Sequence, residues 1–282
     1  VELDITDIDG KKHIKVPQGT RIDDVQEYSL RVSTADLTIH AEEDSTATVS
    51  IVIDPELETC ECKIHIVVDA GAKLTVLLLQ VAKSKSVSIS QSSQIADGAH
   101  LRLHNITLGG ESVTHDLESH LLGHHAVSDV DWIFYARDNE QQKLSATNVF
   151  EGRAGGGEIN MRGVAQDTAH VVCDGMINIG EGGGETDTYL TEEVLMLDKT
   201  AKVDVIPGLE IKTNDVKASH SATVSKVTAE DLFYFAARGI PTEQARQMFV
   251  LGFLEDLTKR IASKELSKRV LKEVEKKYGL KA

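Results

Sequence analysis

Proline and aromatic residues are both scarce: four prolines and 4% Phe, Trp and Tyr in 282 residues. Any core must therefore be built from Val, Ile, Leu and Ala. Three cysteines are too few, and odd in number, for a disulfide framework, so a reducing cytoplasm is the expected setting. No apolar run approaches the roughly 20 residues that span a bilayer, so no membrane segment is expected. No charged-then-apolar leader opens the sequence, which gives no sign of export. Basic residues are outnumbered, 30 against 45 acidic, for a net charge of −15. Such a surface repels phosphate backbones and argues against a nucleic-acid partner. The glycine triplets are followed by no Gly-Lys-Ser/Thr, so no nucleotide site is evident. A single Trp argues against the aromatic sugar platforms of a glycan-cleaving enzyme.

What is present is alternation. From about residue 36 to 225, apolar residues recur two apart: Val49, Ile51, Ile53; Leu74, Val76, Leu78; Ile177, Ile179; Val203, Val205. That period marks strands with one buried face. Gly, Asp, Ser and Asn separate the runs, as turns require. Residues 1–35 are mixed and polar, and read as short strands or loop. A repeat of 27 residues recurs, Gly71-Ala72-Lys73-Leu74 returning as Gly98-Ala99-His100-Leu101, and Gly155–Gly157 as Gly182–Gly184. Fixed-period strands point to a β-helix, with a β-sandwich as the alternative. From 226 to 282 the period turns helical. Thr228 is placed to cap a first helix. Gly239-Ile240-Pro241 breaks the chain; a second helix carries Ala245, Met248, Phe249 and Phe253 along one stripe. A third carries Leu266, Val270, Val274 and Tyr278, and Gly279 ends it. This tail reads either as a cap on the open end of the solenoid or as a docking surface for a partner.

Stepping by 27 from Gln166 reaches Glu193 and then His220, with Ala165, Glu192 and Ser219 as the adjacent column. Stacked in register, Glu193 and His220 are neighbours able to hold a cation, or else members of an exposed ionic ladder. Cys173 is the best thiol candidate, as iron ligand or sulfur carrier; a buried cysteine can equally be a small core residue. Cys60 and Cys62 share one strand face and could pair as ligands, without zinc-knuckle spacing. His115, His120, His124 and His125 crowd one region, where acidic and polar neighbours favour a solvated turn.

The run Pro207-Gly208-Leu209-Glu210-Ile211-Lys212 through His220-Ser221-Ala222-Thr223-Val224, followed by Asp231-Leu232-Phe233-Tyr234-Phe235-Ala236-Ala237-Arg238-Gly239-Ile240-Pro241, resembles the carboxy-terminal signature of the SufB/SufD family of iron–sulfur cluster assembly. The match is strongest from about 185 to 258. It implies a mainly β fold, a right-handed parallel β-helix with a C-terminal α-helical domain. It implies a cytoplasmic scaffold rather than an enzyme, on which an iron–sulfur cluster is held transiently. Glu192 falls at a cluster-associated cysteine position and His220 at the family's histidine; the implied site is Glu192, Glu193, His220 and Cys173, as iron or cluster ligands. Two departures stand out. Glu192 replaces the cysteine, and Ser221 replaces an acidic residue; the run Lys217-Ala218-Ser219-His220 looks closer to SufD than to SufB. The resemblance further implies a SufC-like ABC-type ATPase docked on the C-terminal helices and a homodimer through the last β-helix rungs. The alternative is a SufD-like structural subunit that holds no cluster.

Overall fold

The computed structural model describes residues 3–8 and 11–279; residues 1, 2, 9 and 10 of the amino-terminal segment and 280–282 of the tail lie outside the described residues. Two parallel sheets face each other and are wound alternately by the chain. The first sheet runs β1 (Asp4–Ile8), β2 (Lys11–Val16), β4 (Thr34–Ala41), β6 (Thr59–Val68), β8 (Ser86–Ile95), β10 (Ser112–Leu121), β12 (Gln141–Phe150) and β14 (His170–Ile179). Along its far edge lie β16 (Lys202–Val205) and β17 (Gly208–Ile211), both paired to β14. The second sheet runs β3 (Gln26–Leu30), β5 (Thr46–Ile53), β7 (Lys73–Gln80), β9 (His100–Thr107), β11 (Val127–Ala136), β13 (Gly156–Ala165), β15 (Thr186–Met196) and β18 (Val216–Lys226). This is a parallel β-solenoid, and its parallel pairing starts upstream of residue 36, at β2 with β4 and β3 with β5. Among the described strands, only β1 runs antiparallel, against β2.

Alternation dictates the packing. Inward residues such as Val49, Ile51, Leu74, Val76, Ile177 and Ile179 form one continuous apolar core between the sheets. Mid-solenoid, the interior also holds polar groups, some of which hydrogen-bond to one another. His115 Nε2 donates to Gln91 Oε1 at 3.0 Å, and Ser93 Oγ donates to Ser119 Oγ at 2.7 Å. The His115 ring stands edge-on to Trp132, centroids 4.4 Å apart. His115 is thus a lumen residue and not part of a solvated turn. His120 pairs with Glu118 and Glu151 on the outside, and His124 and His125 are exposed at a corner.

One corner is built the same way in every coil. Gly19, Asp44, Gly71, Gly98, His125, Ala154 and Glu185 all have positive φ, and each donates its N–H to the next coil: Gly71 to Asp97 O, Gly98 to His124 O, His125 to Arg153 O, Ala154 to Gly184 O. Glycine eases the corner at 71, where φ is +69 and a Cβ would sit 2.3 Å from the Asp44 Oδ1 side-chain oxygen.

The tail does not seal the end of the tube. Helix α2 (Thr242–Arg260) and helix α3 (Lys264–Tyr278) lie along the outer face of the second sheet. There Leu79, Ile106, Ile133, Val164 and Leu195 meet Val250, Leu254, Leu257, Leu266, Val270 and Val274 in a second apolar cluster. Arg137 Nη1 donates to Lys277 O at 2.8 Å, and Lys277 pairs with Glu140. The short α1 (Ala229–Ala236) is capped by Thr228 and Asp231 in a capping box and buries no residue. Phe233 is 72% exposed, and Tyr234 and Met248 are also exposed. Met248 therefore lies off the buried stripe of α2, which is Ala245, Val250, Leu254 and Leu257. No helix among the described residues is long and apolar enough to cross a membrane.

Candidate functional site at the carboxy-terminal mouth

Strand register decides which predicted residues meet. The offset is 27 from β5 to β7, as in Thr46 opposite Lys73. It grows to 29 from β11 to β13, where Val130 faces Ile159, and to 31 from β13 to β15, where Arg162 faces Glu193. From β15 to β18 it is 30, with Glu193 opposite Thr223, Glu192 opposite Ala222 and Leu190 opposite His220. A constant step of 27 therefore slips at this end, and Glu193 and His220 are not rung neighbours.

The slip separates Glu193 from the other three. Residues in register share a sheet face, and Leu190 belongs to the interior core, so His220 is on the lumen face of the outermost strand. Glu193 points outward under α2. Arg162 Nε donates to its Oε2 at 2.7 Å, and the same guanidinium reaches Asp256 and stacks over Phe253. Glu193 is thereby a strut between sheet and helix.

Glu192 and Cys173 come together across the lumen, one from each sheet. Glu192 is 0% exposed, and neither carboxylate oxygen has a hydrogen-bond partner within normal distance. Burial raises its pKa from 4.5 to about 7, with the adjacent Cys173 thiol and Gly175 backbone pulling it back. Burial likewise pushes the Cys173 thiol up, and the facing Glu192 adds to that. Cys173 Sγ also lies 3.6 Å from Met161 Sδ. Space for the carboxylate comes from Gly175, since a Cβ there would stand 2.8 Å from Glu192 Oε1 and 2.6 Å from Leu190 Cδ1. Gly175 was not anticipated; the signal for it was a glycine interrupting the alternating strand Val171-Val172-Cys173-Asp174-Gly175-Met176-Ile177. Beside this pair the strand flanking β14 is interrupted. Pro207, which has no N–H to donate, stands between β16 and β17, and β18 has pairing partners on one side only.

Among the described residues, no group of three or more His, Cys, Asp or Glu side chains converges as a metal site. The histidine crowd is dispersed, and Cys60 and Cys62 lie at the other end of the solenoid interior, Sγ atoms 3.7 Å apart. Hydrogen bonding between the two thiols lowers the Cys60 pKa and raises that of Cys62.

The profile of the SUF system FeS cluster assembly SufBD core domain matches residues 22–253, from the first parallel coils through α1 and most of α2. The chain belongs to the SufBD family. It is 29% identical over 181 residues to the iron–sulfur cluster assembly protein SufD of Escherichia coli strain K12, covering 63% of this chain and 42% of that protein. It is 28% identical over 159 residues to SufD of Bacillus subtilis strain 168, covering 56% and 36%. A SufBD family iron–sulfur cluster assembly protein of Mycobacterium leprae is 27% identical over 225 residues, covering 75% and 56%. The chain thus spans about half or less of the length of these relatives.

Proposed function

We propose that this chain is a scaffold on which an iron–sulfur cluster is assembled, in the cytoplasm, with the cluster as cargo at the carboxy-terminal mouth of the solenoid. The observation that carries this reading is the fully buried Glu192 carboxylate facing the Cys173 thiol in the last complete coil. A carboxylate buried in this way is costly to ionise, and a bound cation would offset that cost. His220 adds an imidazole on the lumen face of the edge strand. Three donors from one chain leave a coordination set incomplete. The free edge of β18 suits a second copy, which would bring its own His220 to the same opening. Cys173 supplies thiolate for iron or sulfur; Glu192 and His220 hold iron more weakly than thiolates do, which suits a cargo that must leave. Glu193, bound to Arg162, keeps β15 seated under α2 rather than serving as a ligand.

The same reading gives α1 and the start of α2 to a SufC-like ABC-type ATPase. Phe233, Tyr234 and Met248 are exposed apolar anchors of the kind that dominate interface energy. ATP hydrolysis then belongs to that partner.

Anaerobic reconstitution with ferrous iron and sulfide tests the scaffold role. The parent chain is expected to develop sulfide-to-iron charge-transfer absorption as a dimer. Cys173→Ser, Glu192→Gln and His220→Ala should each lower iron and sulfide per dimer. Equal loading in all three variants would instead favour a SufD-like structural subunit without a cluster.

A further inference from the structure

Cys60 and Cys62 lie far along the chain from the mouth and take no part in the proposed cluster site. Both face the solenoid interior from β6, two residues apart, and both are free thiols. Their sulfurs are 3.7 Å apart. Two sulfurs each about 2.3 Å from one tetrahedral ion stand roughly 3.8 Å apart. The two thiols therefore already have the spacing of a chelate.

Their surroundings set what such a chelate could hold. The neighbours in register, Val87 and Ile89 on β8 and Ala35 on β4, are apolar and offer no further side-chain ligand. The Val32 backbone carbonyl, which accepts from Cys60 Sγ at 4.0 Å, adds a lone-pair ligand beside the pair. Hard ions that demand several oxygen ligands are excluded by this shell. Soft ions satisfied by thiolates remain. Both thiols are buried, Cys60 at 2% and Cys62 at 1% exposure. Cys60 precedes the first β4–β6 pair, Thr34 with Glu61, and beside it runs the bend at Val32 and Ser33, where Val32 is exposed.

We propose that Cys60 and Cys62 form a two-thiolate binding site for a soft, thiophilic d10 cation, with the remaining coordination positions left to the Val32 carbonyl and small exogenous ligands. Binding replaces the two thiol protons, which pass to solvent. The site is independent of cluster assembly at the other end of the tube.

The experiment uses the full chain, reduced and kept anaerobic, with Cd(II) as probe. Titration should give one equivalent per chain with a thiolate-to-cadmium charge-transfer band and proton release. Cys60→Ser and Cys62→Ser should each weaken binding at least about tenfold, while Cys173→Ser keeps it. In the unaltered protein, one equivalent of Cd(II) should slow alkylation of Cys60 and Cys62 by at least about tenfold, mapped by peptide mass. That readout stands even if a variant misfolds. Alkylation of the pair that Cd(II) does not slow, or a band that survives when Cys60→Ser, Cys62→Ser and Cys173→Ser are combined, would overturn the site. Iron and sulfide loading of the Cys60→Ser chain separates this inference from the scaffold reading: it should match the parent.

Discussion

Glu192 on the second sheet and Cys173 on the first face each other across the solenoid interior, in a space kept open by the missing side chain of Gly175. Filling that space is the most direct perturbation of the mouth. Gly175→Ala would press a methyl group onto Leu190 Cδ1 and Glu192 Oε1. Overpacking of this kind costs about 1–3 kcal/mol, so urea unfolding should lose that much stability while far-ultraviolet circular dichroism is unchanged. Iron loading should fall with it.

The same carboxylate should leave a pH signature. Burial raises its folded-state pKa to about 7, above the ordinary 4.5. Its favourable contribution is therefore fully present below about pH 4.5 and is lost as pH rises through about 7. The loss should be on the order of 2–3 kcal/mol by pH 8. Glu192→Gln keeps the shape and removes the ionisation. The variant should match the parent at low pH and exceed it at pH 8 in denaturant midpoint.

Two buried histidines act in the opposite direction. Burial lowers His115 to about 3 and His104 to about 4, from the ordinary 6.5. Both are neutral in the folded chain, so the stability they permit is present above about pH 6.5 and lost as pH falls. Each should cost up to about 1.4 kcal/mol per pH unit across that range. His115→Asn should shallow the acid limb of the stability curve, read from thermal midpoints between pH 6.5 and 4.

The repeated corner offers a backbone test. Ala154 has φ +57, a left-handed conformation that costs a residue with a Cβ on the order of 1 kcal/mol. Ala154→Gly should leave stability unchanged or raise it by up to about 1 kcal/mol. Gly71→Ala takes on the same left-handed cost and must turn the Asp44 carboxylate aside, so it should destabilise by about 1 kcal/mol. Thermal midpoints of the two variants should move in opposite directions, or only that of Gly71→Ala should fall.

Docking on the helices is best tested by point variants. Removing everything after Val227 would bare Leu79, Ile106, Ile133, Val164 and Leu195 on the second sheet, and the truncated chain should aggregate. Phe233→Asp and Met248→Asp alter exposed positions only. They should keep the thermal midpoint while co-purification with the ABC-type ATPase is lost; retained co-purification would refute that docking face.

Much of the architecture was legible because alternation and the spacing of Gly71 and Gly98 report real equivalence: both glycines occupy the same corner in successive coils. The second glycine coincidence was accidental. Gly156 lies opposite Asp187, not Gly183. Longer coils break a fixed period, and the error falls on Glu193 and His220, which lie near the end of the count. The place of the helices was also written in the chain, in Leu77-Leu78-Leu79 and Trp132-Ile133-Phe134-Tyr135. Consecutive apolar residues mark strands covered on both faces, which a helix lying along the sheet explains and a cap on the open end does not. The Glu192–Cys173 meeting was not legible, because the two residues lie on different sheets and only the completed winding brings them together.

The register offset leaves a record along the tube. The step from β5 to β7 is 27 residues, whereas β13 to β15 takes 31 and β14 to β16 takes 32. The corner keeps one hydrogen-bonded contact per turn throughout. Coil length thus reports axial position, with long coils at Glu192 and Cys173. A coil transplanted from the β5–β7 step to this end would meet the corner and still run short of its neighbours' register.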